Sequence, residues 1–169
     1  MAKKDKLNHI LLFSNDKFKD KRGELYTIWK SEITDNLNFN HDKIAVSHKN
    51  VLRGLHTDKS WKLITCLFGK IQFVVVNFNK LDTDYLNYTE YILDSEDEIS
   101  NSILVPPYYL NGHLVLSDKA IFHYKWSYDG NYPDVNEQIT VNAFDPKLGI
   151  KWLTDTPIRS ERDEKAKLL

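Results

Sequence analysis

A single cysteine, Cys66, excludes any intrachain disulfide and with it the stapled scaffolds of small secreted proteins. It lies in an apolar run, where a packed thiol is expected rather than a nucleophile. Neither charge sign dominates: 23 Lys and Arg stand against 24 Asp and Glu, a net charge of −1. That balance argues against a nucleic-acid partner, which calls for a basic excess. No apolar run reaches the length of a membrane span. The start, Met1 to Lys6, is basic, but Ile10-Leu11-Leu12-Phe13 is too short for a signal-peptide core, so a cytoplasmic protein is expected. The six glycines form no phosphate-cradling loop and no Gly-x-Ser-x-Gly elbow. The six histidines include no His-x-His pair and no His-Glu-x-x-His motif. A resident metal is not expected from these motifs, although single histidines on separate strands can converge on one.

What the chain does have is aromatic and β-branched. Nine Tyr, eight Phe and four Trp supply core volume or the walls of a cavity. Strands are expected over 25–29, 43–47, 63–68, 71–78, 88–93, 102–105, 113–116, 120–126 and 138–143. Their regular spacing suggests a sandwich or barrel. Gly69-Lys70 reads as the tight turn of a hairpin. Ile71-Gln72-Phe73-Val74-Val75-Val76 is too apolar for a half-exposed strand and should be buried on both faces. Helix signals are confined to residues 31–37 and to Ser160-Glu161-Arg162-Asp163. With no repeat, linker or composition break, residues 1–169 read as one domain, with the N-terminal arm and C-terminal tail packed outside a β-barrel core.

Four clusters could carry chemistry. Val51-Leu52-Arg53-Gly54-Leu55-His56 and the nearby Trp61-Lys62-Leu63 bring together a permanent cation, a group that titrates near neutrality and an oxyanion stabiliser. The other reading is a surface turn with unrelated polar residues. Lys62 shares a strand face with Ile64 and Cys66. Entering a cavity there would be costly unless an anion or dipole met it, a role open to a ligand oxygen. In Val105-Pro106-Pro107-Tyr108-Tyr109-Leu110-Asn111-Gly112-His113, His113 is either a hydrogen-bonded barrel-mouth residue or a substrate contact. In Phe122-His123-Tyr124-Lys125-Trp126, alternation puts Tyr124 inward with Phe122 and Trp126. Its hydroxyl either serves structure or donates a proton to a substrate. Asp163 follows Ser160 at the capping-box spacing; it either caps a helix or orients His56.

These elements in their order resemble the dTDP-4-dehydrorhamnose 3,5-epimerases of the cupin superfamily. The likeness runs from Asp20-x-Arg22-Gly23 through the Arg-Gly-Leu-His element, Lys62-Leu63, Gly69-x-Ile71, Val105-Pro106, Tyr124-Lys125, Phe144-Asp145-Pro146 and Ile150-Lys151-Trp152 to Ser160-x-x-Asp163. The resemblance implies an all-β, cupin-type double-stranded β-helix (a jelly-roll barrel) with short peripheral helices, acting as a homodimer on a nucleotide-diphospho-4-keto sugar without a cofactor. It implies that His56 is the base, Asp163 its partner, Lys62 the enolate stabiliser and Tyr124 the opposite-face acid. Arg53 would hold phosphate, and Arg22 would reach across a dimer.

The departures cluster around the sugar and nucleotide. Only five residues separate His56 from Lys62, fewer than in the rhamnose enzymes. Asn111 takes the place of a family histidine, with His113 two residues on. His41 and Lys43 stand where Gln and Asn grip the substrate, Thr27 replaces a Glu, and the Tyr124–Tyr132 segment is longer. These changes resemble a subgroup acting on GDP-4-keto-6-deoxy-heptoses in bacterial capsule synthesis. The expectation is therefore inversion at C3, C5 or both of a GDP-heptose or dTDP-hexose 4-keto sugar. A cupin 3,4-ketoisomerase and a non-catalytic or metal-dependent cupin are the alternatives.

Overall fold

The computed structural model describes residues 2–4, 7, 9–34, 37–132 and 136–169. In these, the strands are β1 (Ala2–Lys4), β2 (Leu11–Asp20), β3 (Gly23–Tyr26), β4 (His41–His48), β5 (Leu52–Thr57), β6 (Trp61–Phe68), β7 (Lys70–Asn77), β8 (Tyr88–Asp94), β9 (Ile99–Val105), β10 (Tyr109–Val115), β11 (Lys119–Ser127) and β12 (Ile139–Thr140). One helical turn, α1 (Glu161–Glu164), follows. The strands pair antiparallel in two sheets. The larger, of seven strands, runs β1-β2-β9-β6-β11-β4 with β3 beside β2. The smaller, of five, runs β12-β5-β10-β7-β8. They face one another as the jelly roll that the resemblance implied.

Alternation explains the layers. Ile64, Cys66 and Phe122 of the larger sheet meet Ile71, Phe73 and Val75 of the smaller one in the core. The other face of the smaller sheet, with Leu52, Val74, Val76 and Leu114, is covered by the segment carrying Val141, Ala143, Leu148 and Trp152. Residues 71–76 are thus buried on both faces, as their unbroken apolar run required. On the outer face of the larger sheet, Trp29, Ile33 and Phe39 cover Phe13, Leu63 and Leu104.

Several expectations are corrected. Gly69 does not close a hairpin: β6 pairs with β9 and β11, while β7 pairs with β8 and β10. Gly69 instead turns the chain from one sheet into the other. At φ +77°, a Cβ there would stand 2.2 Å from the Lys119 carbonyl oxygen, so only glycine fits. The N-terminal arm is not packed outside the barrel, because β2 pairs with β9 through six residues. Its polar second half hid it from a reading based on apolar runs. β5 was likewise not anticipated as a strand, since Gly54 interrupts its pattern. The strand expected over 25–29 ends at Tyr26, and that over 138–143 shrinks to Ile139–Thr140. The helix expected over 31–37 is a 3-10 turn at Ser31–Ile33, with residues 35 and 36 outside the described set.

Candidate active site

Two glycines set the inner wall of the smaller sheet. At Gly54 (φ +132°) a Cβ would lie 2.6 Å from Gly112 Cα, so β5 and β10 meet backbone to backbone. The register shifts between Asn111 and His113, which places Asn111 opposite His56 and His113 opposite Arg53. Across the gap, β6 contributes Lys62 and Ile64, and β11 contributes Phe122, Tyr124 and Trp126. Between these walls lies a cavity of about 700 Å³.

His56 Nε2 is 2.6 Å from Asp163 Oδ1. Asp163 is 2 % exposed, and its other oxygen accepts the Gly54 N–H at 3.3 Å. The Ser160 half of the capping box forms, but the Asp163 side chain is not part of the cap. Its backbone N–H donates to the Ser160 hydroxyl at 3.2 Å, capping α1, while its carboxylate turns into the cavity. Burial pushes the Asp163 carboxyl upward, but the bond and charge of His56, with the Gly54 N–H, outweigh it and hold it below its ordinary value. Nε2 is the ring nitrogen bonded to the carboxylate, which leaves Nδ1 as the other nitrogen of the ring.

Lys62 enters the cavity wall almost fully buried, and its Nζ lies 4.6 Å from the centre of the Trp126 ring. Its partner is already present in the protein. Asp58 Oδ2 stands 2.7 Å away, itself buried, whereas the sequence reading had left that place to a ligand oxygen. Burial lowers the Lys62 amine below its ordinary value even though Asp58 opposes the shift. Tyr124 lies between Phe122 and Trp126, with ring centres 5.2 and 5.6 Å away, and burial raises its phenol. On the opposite face of β11, His123 and Lys125 both bond Asp42, as alternation required.

Other wall residues are held by the protein. Arg53 Nε donates to Ser47 Oγ at 3.1 Å. The Asn111 amide donates to the carbonyls of His56 and Tyr109, both at 3.2 Å. His113 stacks on Phe122, with ring centres 4.0 Å apart. Burial, helped by the nearby charges of Arg53 and His56, pushes His113 down to about 3. The imidazole is therefore neutral. Lys43 bonds the Tyr132 hydroxyl at the rim.

Eight of the ten residues singled out from sequence line the cavity: Lys43, Arg53, His56, Lys62, Asn111, His113, Tyr124 and Asp163. Two are not brought there. Arg22 pairs with Asp20 on the exposed β2–β3 turn. His41 packs on Tyr132, 4.6 Å between ring centres, behind the lining. Sequence reasoning missed Tyr132, Gln138, Arg159 and Arg162, which also line the cavity, and Asp58 beneath it. Arg162 could have been found, because it adjoins Asp163. Among the described residues, no group of three or more His, Cys, Asp or Glu side chains is arranged to hold a metal ion. No described helix is long and apolar enough to cross a membrane.

The profile of the dTDP-4-dehydrorhamnose 3,5-epimerase family matches residues 4–169. The dTDP-4-dehydrorhamnose 3,5-epimerase of Shigella flexneri is 25 % identical over 95 % of this chain and 91 % of its own. The dTDP-4-dehydrorhamnose 3-epimerase of Streptomyces niveus is 32 % identical over 75 % of this chain and 60 % of its own. Among solved structures, the dTDP-6-deoxy-D-glucose-3,5-epimerase of Legionella pneumophila, in complex with dTDP-4-keto-L-rhamnose, aligns with a TM-score of 0.91. It is 25 % identical over 99 % of this chain and 92 % of that one.

Proposed function

The chain belongs to the dTDP-4-dehydrorhamnose 3,5-epimerase family, and from that premise we propose that it inverts C3, C5 or both of a nucleotide-diphospho-4-keto-6-deoxy sugar. The observation that carries the proposal is the placing of a His56–Asp163 pair and of Tyr124 on facing walls of one cation-rich cavity. A C–H beside a ketone is a feeble acid, so its removal needs both a base and a stabilised enolate. In this reading His56 takes the proton and Asp163 stabilises the imidazolium. Lys62 faces the enolate oxygen. Tyr124 returns a proton from the other face, and the carbon is inverted. No organic cofactor enters the scheme. Arg53, Arg159 and Arg162 supply the positive charge that a diphosphate requires. His113, neutral and packed against Phe122, shapes the sugar site without adding charge.

Two sugar classes remain in view, each with its own support. The short link between His56 and Lys62, the Asn111-x-His113 pattern and the His41–Lys43 stretch favour a GDP-linked heptose destined for a surface polysaccharide. The relatives favour a dTDP-linked hexose. Arg22, outside its own cavity, suits the homodimer in which it would complete a partner's site.

The test is solvent exchange. Enzyme mixed in heavy water with GDP- and dTDP-linked 4-keto-6-deoxy sugars should place deuterium at C3 or C5, read by mass and NMR. Absence of exchange with every such sugar would sink the proposal. A carbonyl that migrates to C3 would mark a ketoisomerase instead. Tyr124→Phe should cut net inversion on the order of 10²-fold while sparing exchange on the His56 face. Equal loss of both would refute the two-face assignment.

A further inference from the structure

Lys62 is the least comfortable charge in the cavity. It is 5 % exposed, faces an indole, and feels the positive charge of Lys43 from β4. Arg53 on β5 and Arg159 and Arg162 of the C-terminal segment add to the positive lining. The cavity carboxylate, Asp163, is engaged by His56 and the Gly54 N–H. Among the described wall residues, Tyr124, whose phenol burial raises, and His113, whose imidazole burial keeps neutral, add no negative charge near neutrality. A desolvated amine in such company would give up its proton. A neutral amine is a base, and it cannot stabilise an oxyanion as a cation does.

Asp58 opposes that outcome. The link from β5 to β6 is so short that its own aspartate, four positions before Lys62, reaches the amine. Asp58 is fixed on three sides. Its Oδ1 accepts the Ser60 N–H at 2.8 Å, its carbonyl accepts the Tyr108 N–H at 2.9 Å, and its Oδ2 stands 2.7 Å from Nζ. These contacts hold the Asp58 backbone and one carboxylate oxygen, and they aim the other oxygen at the amine.

We propose that Asp58 is a positioning residue of this site: it pins the Lys62 ammonium against the Trp126 face and keeps it cationic, leaving its other N–H bonds for the enolate oxygen. The inference rests on the epimerase reading for the enolate, but the protonation of Lys62 is measurable without substrate. The short loop is then more than a reshaped sugar pocket, because it carries the counter-charge on which Lys62 depends.

The experiment follows Lys62 directly and through the rate. NMR of side-chain-labelled lysine, assigned with Lys62→Met, should show the Lys62 amine titrating at lower pH in Asp58→Asn than in the parent protein. Asparagine can still accept the Ser60 N–H. The basic limb of the exchange rate should move down by the same interval, with at least a tenfold loss at pH 8. Asp58→Glu should return the limb toward its original position. A destabilised but otherwise unaffected enzyme would lose rate without moving the limb, and that result overturns the proposal. An unmoved Lys62 titration overturns it as well, whether or not the parent protein exchanges deuterium. Absence of exchange in the parent protein counts against the epimerase reading alone. Should Asp58→Asn not fold, the parent protein still decides. Lys62 titrating with the basic limb supports the proposal, and Lys62 titrating apart from it overturns the proposal.

Discussion

His56 and His123 each bond an aspartate, at 2.6 and 2.7 Å. The bond alone does not distinguish them. Asp163 is sealed against solvent, its second oxygen is held by a backbone N–H, and His56 opens on a cavity. Asp42 has a side chain 57 % exposed, shares itself with Lys125, and lies on β4 beside the face of β11 that turns away from the cavity. In both carboxylates burial pulls upward and hydrogen bonds win, leaving each below its ordinary value. A His–Asp distance thus says little about catalysis. What matters is whether the second ring nitrogen meets a substrate and whether water is kept from the carboxylate.

The largest test of this contrast is His56→Asn. It should reduce deuterium exchange at the sugar carbon by on the order of 10³-fold, the usual worth of a positioned base, while leaving the thermal transition nearly unchanged. Retained exchange would move the base elsewhere. A middle-sized effect concerns His113, the buried histidine of the inner wall. Its folded value, about 3, lies below the ordinary 6.5. Between those limits the unfolded chain binds a proton that the folded chain refuses. Stability should therefore be untouched above pH 6.5 and fall by up to ~1.4 kcal/mol per pH unit below it. Urea melts from pH 7 to 4 should show that slope, and His113→Asn should flatten it. A slope unchanged by the substitution would show that other groups set the acid limit. The smallest effect belongs to the outer pair: His123→Asn should leave exchange within about twofold of the parent rate, since His123 and its partner Asp42 do not line the cavity.

Much of this site was legible in the sequence because alternation is a local property. Tyr124 faces in and His123 out for the same reason that Phe122 and Trp126 face in. The burial of residues 71–76 on both faces was legible too, from an apolar run that breaks the alternation. Strand partnership is not local, and there the reading failed. Two apolar runs joined through a glycine look alike whether they pair with one another or leave for opposite sheets, so Gly69 was misread. β2 was missed because its burial pattern fades toward Asp20 and its place comes from β9, far along the chain. Asp58 stood in plain view as part of a polar turn. Only the courses of β5 and β6 reveal that its carboxylate is enclosed with Lys62.

The partners His56 and Asp163 lie 107 positions apart, and the carboxylate arrives on a single capped turn. One belongs to a central strand of the smaller sheet, the other to a late segment laid over it. Both sheets could therefore be complete in a molecule whose histidine has no carboxylate. Strand content would count that molecule as native, whereas turnover would not. Loss of activity in mild denaturant is thus an early gauge of partial opening at this end of the chain, ahead of any change in the sheets.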